Sequence, residues 1–128
     1  MNLAGFAVVA MFAAASEPSP VADVVAEFAT DLSQGDAPAF LSHFDRNMTG
    51  YARLSGLIQA LAAQGDVGSS VEITEDAGDD RRRKLALDWI LELAGDRRRQ
   101  TVRCTFEHRG KRWKVTAIEP VEFFALSH

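Results

Sequence analysis

From Arg81 to Phe124 the chain alternates apolar and polar residues in three runs separated by short glycine-containing turns, ending in the string WKVTAIEPVEFF. Period-two alternation marks strands that bury one face. An earlier run with Val71 and Ile73 on one side, followed by a turn around Gly78 to Asp80, adds a fourth strand. Upstream the period changes to that of a helix. Val21, Val24, Val25, Phe28 and Leu32 fall on one stripe, with Ser19 and Pro20 placed to open the helix, Asp23 and Glu27 towards its N-terminus and Gly35 placed to end it. Asp36 can cap a second, shorter helix carrying Phe40, Leu41 and Phe44, with Pro38 tolerated in its first turn. Leu54, Leu57, Ile58 and Leu61 mark a third helix that stops near Gly65. Gly56 inside it costs about 1 kcal/mol relative to alanine, so a close packing contact is expected there. These elements predict an α+β domain, three N-terminal helices packed on a four-stranded antiparallel meander.

The strands can be registered against one another. A two-residue turn at Gly95 and Asp96 sets Leu85, Leu87 and Trp89 opposite Phe106, Cys104 and Val102 on the core side. On the other side it pairs Glu92 with Arg99, Asp88 with Arg103 and Lys84 with Glu107, each pair contributing ~0.2–1 kcal/mol. A second turn at Arg109 and Gly110 puts Phe106 opposite Trp113, Cys104 opposite Val115 and Glu107 opposite Arg112. The same register places Ile90, Thr101 and Ile118 in an uncharged row on the outer face, with Ala86 and Thr116 nearby, a candidate homodimer contact. Pro120 suits the end of the last strand, and Val121 to Leu126 are expected to fold over an edge or the mouth of the core.

A chain of 128 residues with 47% hydrophobic and 25% charged content fits one globular domain. Its first fifteen residues carry no charged side chain, and Leu3 to Ala15 form an apolar run with Ala13 and Ala15 placed for cleavage before Ser16. Residues 1–15 are therefore expected to be a signal peptide and 16–128 the mature domain, exported to the periplasm or secreted. A buried N-terminal helix, with the leader kept and the protein cytoplasmic, is the alternative. The run is shorter than the roughly 20 residues a membrane-spanning helix needs, so no stable membrane insertion is expected after processing. Cys104 is the only cysteine, which excludes an internal disulfide and fits a small buried side chain.

Charge is distributed unevenly. Residues 1–80 hold 12 acids and 2 bases, residues 81–128 hold 6 acids and 12 bases, and the whole chain has a formal net charge of −4. Cations at Arg81 to Lys84, Arg97 to Arg99 and Arg109 to Lys114 could attract a polyanion. The acidic total, the acidic partners within the sheet and the lack of interleaved exposed aromatics point instead to a solvated sheet face and no nucleic-acid partner. His43, His108 and His128 lack metal-ligand spacing, and no phosphate-binding glycine loop or nucleophile elbow is present, so no metal or cofactor is expected. His43, with Asp45 two residues on, is a candidate acid–base group, although residues two apart on a helix face apart.

Helix, helix, helix and sheet, with VVAEFATDLSQGD in the first helix and its turn and WKVTAIEP in the last strand, resembles the cone-shaped nuclear transport factor 2-like superfamily over about residues 20–124. The resemblance implies a curved sheet. It also implies a range of roles, from ketosteroid isomerases, scytalone dehydratases and polyketide cyclases to non-enzymatic binding and assembly domains, so the fold does not decide function. In the isomerases a first-helix tyrosine and a protonated aspartate on the sheet donate to the oxyanion, and a carboxylate on an early hairpin is the base. Phe28 stands where the tyrosine is implied and Val102 where the aspartate is implied, and only Asp45 to Gly50 separate the second and third helices, leaving no room for the hairpin. No catalytic residue is therefore assigned. The expected role is non-catalytic binding or assembly, with an isomerase, dehydratase or cyclase as the alternative. A small apolar ligand is expected to enter a pocket lined by Phe28, His43, Tyr51, Trp89, Val102, Cys104, Phe106 and Trp113.

Overall fold

The computed structural model describes residues 19–126; the apolar leader and His128 lie outside the described residues. Three helices come first, α1 (Ala22–Ser33), α2 (Ala37–Leu41) and α3 (Tyr51–Gln64), followed by strands β1 (Gly68–Gly78), β2 (Arg82–Leu93), β3 (Asp96–Arg109) and β4 (Arg112–Glu119), and a 3-10 turn at Val121–Phe124. The strands pair antiparallel in chain order, as the alternation predicts. Local chemistry sets the helix starts. Ser19 accepts from the Val21 and Ala22 N–H groups ahead of α1, and the Asp36 carboxylate accepts from Ala39 N–H at 3.1 Å to cap α2.

The register differs from the sequence expectation by two residues in both hairpins. Leu85 faces Cys104 and Leu87 faces Val102, because Leu93 pairs with Asp96 and the turn is Ala94–Gly95. Gly95, with φ 76°, takes the second turn position, where the left-handed backbone costs a glycine no steric strain. Likewise Arg109 pairs with Arg112, so Gly110 and Lys111 make the second turn. A two-residue slip preserves which side chains face the core but changes the partners across strands. Asp88 therefore takes Arg99, at 2.9 and 2.6 Å, rather than Arg103. Glu92 takes Arg97 at 3.5 Å, Arg103 reaches Glu75 at 3.6 Å, and Lys84 lies opposite Thr105.

A bulge changes one face assignment. Phe106 pairs with Val115 but Thr105 pairs with Ala117, leaving Thr116 as the extra residue of β4. Beyond it the alternation is reversed, so Ile118 faces Cys104 inside the core and is 7% exposed. Ile118 therefore does not join Ile90 and Thr101 on the outer face. A second bulge at Thr74 lets its hydroxyl donate to the Ala86 carbonyl at 3.1 Å.

The core lies between the helices and the concave side of the sheet, and the C-terminal segment closes it. Phe123 and Phe124 are buried there, as expected for residues folding over the mouth. Arg98 holds the segment by donating to the Phe123 and Ala125 carbonyls while pairing with Asp96 at 2.9 Å. Arg53 of α3 pairs with Glu122 through two 2.8 Å hydrogen bonds. Gly56 is exposed and a side-chain carbon there would meet nothing within 4 Å, so no close packing contact explains it. Among the described residues, no helix is long and apolar enough to cross a membrane.

Candidate functional site

The residues expected to line a pocket fall in three separate places. Five of them, Phe28, Trp89, Val102, Cys104 and Phe106, are packed in the interior and between 0 and 2% exposed. Phe28 leaves α1 pointing at the sheet and meets Trp89 in a parallel, offset arrangement, ring centroids 5.7 Å apart and planes 5° apart. Phe40, Phe44 and Phe106 surround the same ring at 5.4, 5.5 and 6.1 Å. Phe124 closes over Trp89 edge-on at 5.1 Å. The indole N–H, a polar handle on this stack, donates to the Ser69 hydroxyl at 2.9 Å. Burial pushes the Cys104 thiol far above its ordinary range, so it is a packing residue and not a nucleophile. Two oxyanion donors implied by the isomerase resemblance would have to come from Phe28 and Val102, and neither side chain has a hydrogen to donate.

His43 and Trp113 border a cleft of about 290 Å³ between the start of α1 and the β3–β4 turn. His43 lies beyond the end of α2, and its main chain joins the edge of β4: its carbonyl accepts from Val115 N–H, while Asp45 N–H donates to the Val115 carbonyl, both at 2.8 Å. This placement swings the imidazole to α1, where Nε2 is 3.2 Å from Glu27 and 3.3 Å from Asp31. The carboxylate expected from the sequence, Asp45, faces away. It accepts from Asn47 N–H and from Arg109 at 2.7 Å, and these bonds hold its carboxyl below the usual range, the Asn47 bond contributing most. Asp31 is shifted upwards, chiefly because burial penalises its charge, with His43 opposing. The i, i+4 spacing of Glu27 and Asp31 was the available sequence signal, since it puts both carboxylates on one face of α1. Glu27 and His43 lie in the wall of the cleft, and both acids meet the same ring nitrogen, Nε2, the atom that would move a proton. Trp113 packs across the hairpin against His108, centroids 5.0 Å apart and planes tilted by 37°.

Tyr51 belongs to neither place. It opens α3 and borders a groove of about 470 Å³ bounded by α2, α3 and β4. Leu41 and Phe44 contribute apolar surface, and Arg46, Arg112 and Lys114 contribute charge. Among the described residues no group of three His, Cys, Asp or Glu side chains is arranged to hold a metal ion.

No protein-family model matches the sequence, and no curated protein matches it. Solved structures do. A nuclear transport factor 2-like protein of unknown function from Shewanella oneidensis superposes with a TM-score of 0.66 at 14% identity, covering 78% of this chain and 97% of that one. A nuclear transport factor 2-like protein with a cystatin-like fold from Novosphingobium aromaticivorans gives 0.59 at 15% identity, covering 77% and 76%. An LEH-like epoxide hydrolase from M. tuberculosis gives 0.51 at 20% identity, covering 75% and 77%. The chain therefore has the nuclear transport factor 2-like fold, three helices on a curved antiparallel sheet.

Proposed function

We propose that the protein is a non-catalytic binding domain that meets its ligand or partner on the outside of the cone. One observation carries this reading: the Phe28 ring is fully buried against Trp89, where a reaction inside the cone would need open space and hydrogen-bond donors. Catalysis of isomerisation, dehydration or epoxide opening requires polar groups converging on an enclosed cavity. Here the interior is lined by six phenylalanines and Trp89, and the acid–histidine cluster of His43 opens onto a surface cleft.

Binding is favoured over pairing of two sheets. With Ile118 inside, the uncharged outer strip shrinks to half-buried Ile90 and exposed Thr101, beside the Asp88–Arg99 ion pair. A stable interface needs roughly 800 Å² from each partner, which one isoleucine does not supply.

The reading is tested by incubating purified protein with a 3-keto steroid and, separately, with a simple 1,2-epoxide. No isomerised steroid and no diol should form above the buffer rate. Product that scales with protein concentration and disappears in the His43→Ala variant would establish the enzymatic alternative.

A further inference from the structure

The groove beside Tyr51 differs from the rest of the surface in its charge. The chain carries a net −4, yet no acidic side chain lines this groove, and three cations do. Asp45, the neighbour of Arg46, turns its carboxylate to Arg109 instead. Among the described residues Arg46, Arg81, Arg82 and Arg112 have no carboxylate within ion-pair distance, but Arg81 and Arg82 border a cleft with Glu107, whereas Arg46 and Arg112 share a groove that has no acid in its walls. Lys114 donates to the Ser42 carbonyl at 2.5 Å, which fixes its ammonium at the rim.

The remaining walls have complementary chemistry. Tyr51, Ser55 and Gln59 lie along one side of α3 and offer hydroxyl and amide groups, with Gln59 donating to the Ser55 hydroxyl at 2.8 Å. Exposed Pro38 and the outer edge of Leu41, which is 8% exposed, give the groove its apolar surface, backed by the buried Phe44 ring. A volume near 470 Å³ lies within the roughly 300–1,000 Å³ typical of small-molecule sites. An anion flanked by two guanidinium groups and an ammonium gains charge-assisted hydrogen bonds, and an apolar body on the same molecule covers that apolar surface.

We propose that this groove binds a small amphipathic carboxylate, its anionic head between Arg46 and Arg112 and its apolar body against Pro38 and the edge of Leu41. The proposal rests on the binding-domain reading and names the ligand class of one external site. A cationic ligand would meet only like charge, and a neutral one would leave the arginines unpaired.

The test is a nuclear magnetic resonance titration of the protein with 1-naphthoate, with neutral 1-naphthylmethanol and cationic 1-naphthylmethylammonium as controls of the same shape. Saturable shifts centred on Tyr51, Ser55, Gln59 and Arg112 are expected from the carboxylate. Affinity should fall about tenfold in the Arg46→Gln/Arg112→Gln double variant, the loss expected when charged hydrogen bonds are removed. It should be unchanged in Arg81→Gln/Arg82→Gln, which removes equally exposed cations elsewhere. Ser55→Trp fills the groove without altering its charge and should abolish binding, which keeps the test decisive if the double variant folds poorly. Absence of saturation, equal binding of the neutral control, indifference to both groove variants, or shifts centred on His43 each overturn the proposal. None of these results would make the protein an enzyme, so the failure of this site is separable from failure of the binding-domain reading.

Discussion

Phe28 and Trp89 lie parallel, 5.7 Å apart, with neither ring exposed. This contact joins the first helix to the middle of the sheet, and four more phenylalanines complete the packing around it. Phe28→Ala should therefore lower stability by about 3–5 kcal/mol, the range for truncating a buried aromatic ring. Urea unfolding should show a lower midpoint with an unchanged slope. A loss under about 1 kcal/mol would mean that the ring borders empty space.

Asp31 provides a pH-dependent prediction. Its carboxyl is shifted above its ordinary 3.8 mainly by burial, so the ionised form is disfavoured in the folded state. A carboxyl raised on folding contributes stability that is fully present below its unfolded pKa and is lost as pH rises through the folded one. Asp31→Asn keeps an oxygen that can accept from His43 but carries no charge. Its stability relative to wild type should therefore increase from pH 3 to pH 7, read from urea midpoints across the range. A trend in the opposite direction would show that attraction to His43 outweighs the burial penalty.

Gly56 sits in the exposed interior of α3, and a methyl group added there would have nothing within 4 Å. Gly56→Ala should stabilise the protein by roughly 0.5–1 kcal/mol, through helix propensity alone. Thermal unfolding decides it, and a destabilised variant would mean that a partner approaches this face closely.

The helices and the strand order are legible in the sequence because long periodic segments survive local irregularity. Cross-strand partners are not, because one turn residue shifts them all: Gly95 takes the left-handed position and moves Asp88 from Arg103 to Arg99. Alternation alone puts Ile118 on the wrong face, because the Thr116 bulge leaves no mark in the pattern until its neighbours are placed. His43 stands out as a candidate in the sequence, but its partners come from α1 and not from Asp45: the i, i+4 spacing of Glu27 and Asp31 marks a shared carboxylate face without saying which side chain meets it. Alternation also names core-facing residues without saying whether they leave a cavity. That depends on how the rings of Phe28, Phe40, Phe123 and Phe124 fit together around Trp89.

The burial of Ile118 makes its substitution a test of folding and not of association. Ile118→Glu places a carboxylate against Cys104 and should cost at least ~3 kcal/mol. Ile90→Glu, on the outer face, should leave both the fold and the sedimentation coefficient as they are in wild type. A wild-type dimer that Ile90→Glu separates into folded monomers would restore the sheet as an assembly surface.

A cone filled by aromatic rings leaves a small molecule only its exterior to meet. The Trp89 indole N–H reports on this directly, because it lies inside the stack and is bonded to Ser69, while Trp113 supplies an internal comparison at the surface cleft. In a proton–nitrogen correlation spectrum, the Trp89 indole signal should stay fixed as a 3-keto steroid or a 1,2-epoxide is added to saturation. A dose-dependent shift of that signal, with the Trp113 signal unmoved, would place the ligand inside the cone and show that the aromatic core opens to admit it.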